Sequence, residues 1–450
     1  MDTVYTMTAE HTTLARSLSE RGVKYALAAW IDVLGRAKSK VVPVDHLPNL
    51  IAGSERYTPR GMGGLGRMNP VEDESVGLPD PSTLKILPWD RRVAWMVADL
   101  RQGGTTPFAL CPRSVLKRQV AVAESMGFVA QLGVEPEFYV FKPESLSGDR
   151  LIPMALSEEI QPSPAYDVQS ALDSMPFLDR VADYMRELDF GLFSFDAEGG
   201  EGQYEFDFAH APLVETADRM TLFRLLVRQA AAECGLLATF MPKPTAELWG
   251  SGAHFNMSLE DQDGENLFRT DGTGPESWSK LAYQFTAGVL EHAPALTALA
   301  NPTTNSYRRL VDSLADGQVS WAPTKISYGF NNRSCMLRLP ANRPAIENRA
   351  VDSAANTYLV AAFMLAAGLD GIRRGLDPGD ARDDIAYMAG IPTLPRTLAD
   401  AVEAFEQDPL THEVFHDDFI RDYSEMKRSE WLRDHLEVTD SERRAYLLNL

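Results

Sequence analysis

Gly133-Val134-Glu135-Pro136-Glu137-Phe138-Tyr139-Val140-Phe141 is an apolar run with two carboxylates set inside it. Successive side chains of a strand point to opposite faces, so Glu135 and Glu137 share one face, with Val134, Phe138 and Val140 on the other. Carboxylates placed this way repel each other, and desolvating them is costly unless a cation compensates. The pattern recurs downstream. In Gln203-Tyr204-Glu205-Phe206-Asp207-Phe208 the polar residues alternate with three aromatics, and His254-Phe255-Asn256-Met257-Ser258-Leu259 alternates in the same way. In Ile346-Glu347-Asn348-Arg349, Glu347 and Arg349 fall on one side.

Any one of these segments alone reads as an antiparallel strand with a solvated face. Taken with Glu198 they supply Glu135, Glu137, Glu198, Glu205, Glu347 and His254. These carboxylates and one imidazole form a hard-oxygen donor set suited to Mg²⁺ or Mn²⁺. By itself His254 reads as a structural histidine; in this company it reads as a ligand.

The 450 residues are long enough for about two or three domains and a large core. A net charge of −21, from 43 basic and 64 acidic residues, argues against nucleic acid or an anionic membrane as partner. Cys111, Cys234 and Cys335 are widely spaced and form no CxxC, which points to a reducing, cytoplasmic setting without a disulfide frame. Met1 to Glu20 carries no signal-peptide pattern. The longest uncharged stretch, Ser353 to Leu369, falls short of the roughly 20 apolar residues that a membrane span needs and predicts a buried helix.

The element pattern predicts an α+β chain. A short helix over Thr12–Arg21, a hairpin over Val23–Val42 and strands at Thr83–Pro88 and Val93–Leu100 make a small β-rich domain over residues 1–111. A helix over Ser114–Met126 opens a larger domain over 112–450. Residues 142–176, with five prolines and no clear period, read as a surface excursion before helices at Phe177–Leu188 and Thr216–Cys234. Gly61-Met62-Gly63-Gly64-Leu65-Gly66 formally matches GxGxxG, but no strand leads into it and no helix follows, so dinucleotide binding is not expected. From Leu398 onward the chain reads as helical and charged.

Several longer runs are recognisable. Glu135-Pro136-Glu137, Gly202-Gln203-Tyr204-Glu205, Phe240-Met241-Pro242-Lys243-Pro244, Gly250-Ser251-Gly252-Ala253-His254, the segment Ala300-Asn301-Pro302-Thr303-Thr304-Asn305-Ser306-Tyr307-Arg308-Arg309-Leu310, and Asn332-Arg333-Ser334 closely resemble the glutamine synthetase family, in order and over nearly the whole chain. The resemblance implies a small β-grasp N-terminal domain followed by a glutamine-synthetase-type catalytic domain with a curved antiparallel sheet flanked by helices. It also implies a homo-oligomer, a dodecamer of two hexameric rings, with active sites between neighbouring subunits. Two or three Mg²⁺ or Mn²⁺ ions per site and ATP follow from it, with Glu137, Glu198 and Glu205 around one metal and Glu135, His254 and Glu347 around another. Gly250, Arg309 and Arg349 would bind L-glutamate; Ser258, Arg333 and Arg338 would face the nucleotide; Arg309, Arg333 and Arg349 would carry the catalytic charge.

Departures from the ammonia-using pattern concern the amine. Arg60 aligns with an aspartate of the ammonium pocket, and a cation there would repel NH₄⁺. The flap after Arg309, Val311–Ala322, is longer and offers Asp312 and Asp316 but no clear counterpart of the family's glutamate. Trp249 and Trp321 would form an apolar, cation-tolerant wall. With Trp321-Ala322-Pro323 and Tyr328–Arg333, the chain looks most like the branch that makes γ-glutamylmethylamide and γ-glutamylanilide, ligases that open amine or aniline degradation. The expected activity is therefore ATP-dependent joining of glutamate to a small organic amine, with ammonia-dependent glutamine synthesis or a catalytically silent ring as alternatives. Asn256 stands where a histidine is usual and Ala345 where an arginine is usual, and Tyr387 lies near the family's adenylylation tyrosine within an abbreviated loop.

Overall fold

The computed structural model describes residues 8–60, 71–104, 106–147, 150–157, 165–272, 274–314, 317, 319–388 and 390–448; the Gly61–Gly66 run and Asp316 lie outside these. The described strands form two sheets, of seven and nine strands. In the first, Tyr25–Ile31 runs parallel to Val93–Gln102, which pairs antiparallel with Ser75–Ile86. Alternation decides which way each residue faces. Ala26, Ala28, Ala94, Met96 and Ala98 pack with Ala15 and Leu18 of the helix Ala9–Glu20, while Ala29, Ile31, Trp95 and Val97 join the main core.

The larger sheet is organised by the strand Val129–Phe141, 13 residues long. Its first half pairs with Ala253–Glu260 and its second half with Gln203–Phe208, all antiparallel. Pro136, which lacks an N–H, stands where one partner hands over to the other, so its missing donor interrupts neither ladder. Beyond Ala253–Glu260 lie the short strands Ile346–Asn348, Leu337–Leu339 and Tyr328–Phe330; beyond Gln203–Phe208 lies Leu192–Ala197. Behind the sheet Phe138 sits among Phe177, Phe206, Phe223 and Phe240, with ring centroids 5.4 to 6.3 Å away. Such rings stabilise the back face by burial and by edge and stacked contacts. The expected buried helix is Thr357–Arg374, capped by Asn356 and closed by Gly375 at φ +64°. No helix among the described residues is long and apolar enough to cross a membrane.

Two elements differ from expectation. The helix expected from Phe177 begins at Val168, inside the supposed excursion: Asp167 caps it by accepting from Ser170 N at 2.8 Å, and Pro176 is carried within it. Prolines obscured a cap that sets the start. Likewise the strand expected from Thr83 begins at Ser75 and includes Pro79 and Pro81. Its outer neighbour, Arg56–Tyr57, pairs with Val76 and Ser75, so among the described residues no ladder partner demands an N–H from the prolines on that side.

The two sheets are tied by Arg113, almost fully buried at the start of the helix Pro112–Ser125. Its guanidinium donates to Asp218 at 2.9 and 3.0 Å, to Asp99 at 3.1 Å and to Asp80 at 2.9 Å; Tyr358 Oη donates to Asp218 at 2.6 Å. Asp80 and Asp99 lie on strands of the first sheet and Asp218 on a helix packed against the second. Removing the cation leaves buried carboxylates uncompensated, so Arg113→Ala is expected to destabilise the fold by about 3–5 kcal/mol, read from denaturant unfolding.

Candidate active site and metal centre

Register brings the acidic residues together. His254 pairs across the sheet with Glu135, and Glu205 with Glu137; one strand further out Glu347 pairs with Asn256 and Arg338. His254 Nδ1 lies 3.2 Å from Glu135 Oε2 and 3.6 Å from Glu347 Oε1, and its Nε2 lies 3.7 Å from Glu137 Oε1. Glu135, His254 and Glu347 each offer a donor atom within 4.8 Å of the others, and so do Glu137, Glu205 and His254. The first group matches the expected ligand set. The second brings Glu137 and Glu205 of the other expected set together with His254, and Glu198 lies on the wall of the same cavity.

That cavity, of about 440 Å³, is also lined by Asp196, Asp207, Gly250, Arg309, Arg333, Arg338, Arg343 and Arg349. Asp207 is visible in the alternation of Gln203–Phe208, whereas that alternation does not mark Asp196 or Arg343. The signal for Asp196 was its i+2 spacing to Glu198. Oδ1 of Asp196 and of Asp207 is buried with no hydrogen-bond partner among the described residues. Unsatisfied buried carboxylate oxygens beside a group of hard donors fit a divalent cation.

Charge is unevenly compensated. Burial, then Glu137, raises Asp196 to about 6. Burial, then Glu135 and Asp196, raises Asp207 to about 7. Burial, then Glu137 and Asp196, raises Glu198 to about 8, and Glu205 is pushed well above the carboxylate range by burial and its acidic neighbours. On the other side burial also acts to raise Glu347, but Arg349, His254, Arg338 and Arg343 together bring it down to about 2. Its carboxylate accepts from Arg349 Nη1 and Arg338 Nη1 at 2.7 Å each and from Arg343 Nη2 at 3.1 Å.

Second contacts fix these side chains. Gln203 Nε2 donates to Glu137 Oε2 at 2.7 Å and to Gly250 O at 3.1 Å, and Gly252 N donates to Glu137 Oε2 at 2.8 Å. Arg309 is buried, and its two terminal nitrogens donate to Ala350 O at 2.9 Å and Arg349 O at 3.1 Å. Gly250 lies against it: a Cβ there would stand 2.5 Å from Arg309 Cγ. Arg349 Nε donates to Arg333 O at 3.2 Å, tying the two cavity arginines together. Ser258 lines a neighbouring cavity of about 380 Å³ with Asn256, Phe193, His210 and Ala345; the two cavities share Glu135, Asp207 and Arg343.

Trp249 and Trp321 meet at the cavity wall with ring centroids 6.1 Å apart, joined there by Tyr166, which sequence reasoning missed. Trp249 packs on Gly199, where a Cβ would come 2.4 Å from the ring. Trp321 is held at φ +59°, a conformation costing a non-glycine residue about 1–3 kcal/mol. Arg60 does not line the cavity of its own chain. Its guanidinium lies 3.1 Å from Asp422 and 3.7 Å from Asp418, and its backbone N donates to Glu72 at 2.9 Å, so nearby carboxylates hold it elsewhere. A role in the amine pocket therefore requires the cavity of another copy. Asp312 accepts from Thr324 Oγ1 and lines a separate small cavity. The Tyr387 hydroxyl is buried, without a partner among the described residues, and burial raises it to about 12.

The raised carboxyls carry a pH signature. In metal-free protein Asp196, Asp207 and Glu198 hold protons at pH values where the same groups in the unfolded chain, with ordinary values near about 4, have released them. The folded state therefore binds more protons between about pH 4 and 8, and stability falls as pH rises through that window. The melting temperature in chelator is expected to decline across it, and added Mn²⁺ to raise it more at the alkaline end.

The comparisons follow the same lines. Residues 109–446 match the model for the glutamine synthetase catalytic domain. Over 443 residues the chain is 35% identical to glutamate–methylamine ligase of Methyloversatilis universalis, covering 96% of this chain and 97% of that protein. It is 34% identical to glutamine synthetase of Rhizobium meliloti over 430 residues, 94% of this chain and 96% of the relative. A solved GmaS/ADP complex superposes with a TM-score of 0.89 at 34% identity, over 97% of this chain and 99% of that one, and an apo GmaS structure with a TM-score of 0.88, likewise at 34% identity over 97% and 99%. A sheet that turns acidic donors and arginines onto one cavity, matched end to end by these proteins, places the chain in the glutamine synthetase family, as a glutamate–amine ligase that forms a carbon–nitrogen bond.

Proposed function

We propose that the protein joins the γ-carboxylate of L-glutamate to a small organic amine, of alkylamine or aniline type, at the expense of ATP. The observation that carries this reading is the Trp249–Trp321 pair on the wall of the cavity that holds the acidic donors and arginines. Apolar rings of this size favour an alkyl or aryl substituent and tolerate its ammonium form. Similarity to a glutamate–methylamine ligase supports it, while the similar identity to glutamine synthetases keeps ammonia as the second reading.

Glutamate's own carboxylate is a poor electrophile; transfer of the γ-phosphoryl group of ATP to it releases ADP and gives an acyl phosphate, whose acyl carbon the amine attacks with loss of a proton and expulsion of phosphate. Such a transfer needs in-line positioning and charge neutralisation more than covalent help from the protein. In this reading Arg309, beside Gly250, pairs the α-carboxylate, while Arg333 and Arg349 face the transferred phosphoryl group. Arg338 and Ser258 face the nucleotide. Glu135, Glu137, Glu198, Glu205, His254 and Glu347 hold Mg²⁺ or Mn²⁺, which when bound neutralises phosphate charge and polarises the phosphoryl oxygens. The aromatic wall keeps water from the acyl phosphate and orients the amine. We assign residues 1–111 to an N-terminal domain and 112–450 to the catalytic domain, and place Arg60 at a neighbouring copy's cavity within a two-ring dodecamer.

Phosphate release measured with glutamate, ATP and Mg²⁺ across ammonium, methylamine, isopropylamine, putrescine and aniline tests the amine. An organic amine is expected to give the highest kcat/KM; ammonium in first place would defeat the reading. Trp321→Ala is expected to raise the amine KM about tenfold with little change for glutamate or ATP, as loss of one aromatic contact implies. Glu137→Ala is expected to abolish turnover with every amine, whereas wild type and variant alike releasing no phosphate with any amine would favour a silent ring.

A further inference from the structure

The short segment between Pro340 and Glu347 is pinned from outside. Arg269 Nη2 donates to the carbonyl oxygens of Pro340, Ala341 and Arg343 at 2.6, 3.1 and 3.3 Å, and Asn266 Nδ2 donates to Pro344 O at 3.1 Å. Arg269 itself lies over the Trp278 ring, 4.1 Å from its centroid. With the backbone fixed, the inward side chain of Arg343 has one task left to it. Its Nη2 stands 2.7 Å from Glu135 Oε1 and 3.1 Å from Glu347 Oε2, bridging two of the three side chains of the Glu135–His254–Glu347 donor group. Its Nε is buried without a partner among the described residues, and one third of the side chain is exposed. Arg343 also lines the neighbouring cavity, where the small Ala345 leaves room beside Ser258.

A guanidinium and a divalent cation repel each other and draw on the same carboxylate lone pairs. We propose that Arg343 is a tethered competitor for the second cation site: binding of the metal displaces its guanidinium from Glu135 and Glu347 into the adjoining cavity, where it pairs with the phosphates of the nucleotide. Metal loading and nucleotide binding are thereby coupled through one side chain. This rests on the metal reading given above.

The test is calorimetric titration of the full-length protein with Mn²⁺ alone, then with ADP at saturating Mn²⁺, for the wild type, Arg343→Ala, Arg343→Gln and Glu135→Gln. Both Arg343 variants are expected to bind Mn²⁺ about tenfold tighter, having lost a competing charge, and Mn²⁺-loaded ADP about tenfold weaker, having lost a phosphate partner. Unchanged or weaker Mn²⁺ binding in both variants, or unchanged ADP binding, overturns the coupling while the metal reading stands. A wild type that binds no Mn²⁺, or that Glu135→Gln matches, overturns the metal reading and this inference with it.

Discussion

Repulsion among buried carboxylates is the constraint around which this molecule is built. Glu135, Glu137, Glu205 and Asp207 occupy one face of a single sheet, and Asp196 and Glu198 close in from its edge. Left alone, such a face would stay protonated or pull apart. It holds because the opposite face is packed solid with Phe138, Phe206, Phe223 and Phe240, and because one flank of the cluster is answered by Arg338, Arg343 and Arg349 on Glu347. The other flank has no such answer within the described residues, and that asymmetry is what makes the cavity a receiver of cations.

Alternation carried most of this in the sequence, because a period of two is a local property and needs no knowledge of what lies alongside. The aromatic backs and acidic fronts of Val129–Phe141 and Gln203–Phe208 could be paired face to face without knowing the register. What could not be read was how the donors would be grouped: His254 lies within reach of both Glu135–Glu347 and Glu137–Glu205, because convergence depends on where one strand changes partners. Arg343 gives no such signal because it sits in a loop whose direction is set by Arg269, about seventy positions away in sequence. The start of Val168–Glu187 is hidden in the sequence because Pro176 and the prolines upstream of it mask a single capping aspartate, Asp167. Alignment places Arg60 but does not reveal the carboxylates Asp418 and Asp422 beside it.

Precision on this wall of the cavity comes from close approach more than from polar reach. Gly250 and Gly252 let the buried Arg309 lie against the backbone, and Gly199 lets Trp249 do the same, so that a charged and an aromatic side chain are fixed by steric fit. Arg309 keeps its orientation through two backbone carbonyls, which cannot titrate and cannot rotate away.

Because Glu135 and Glu137 are next-but-one neighbours on a single strand, the separation of the two donor groups is inherited from the peptide repeat, about 6.6 Å over two residues. No side-chain substitution can stretch it, and a slip of one position would carry both acids to the wrong side at once. The chemistry is thus written into the skeleton, whereas Trp249 and Trp321 hang from connecting loops outside any strand. Side chains on those loops can therefore change without moving the acidic donors fixed by the strand beneath.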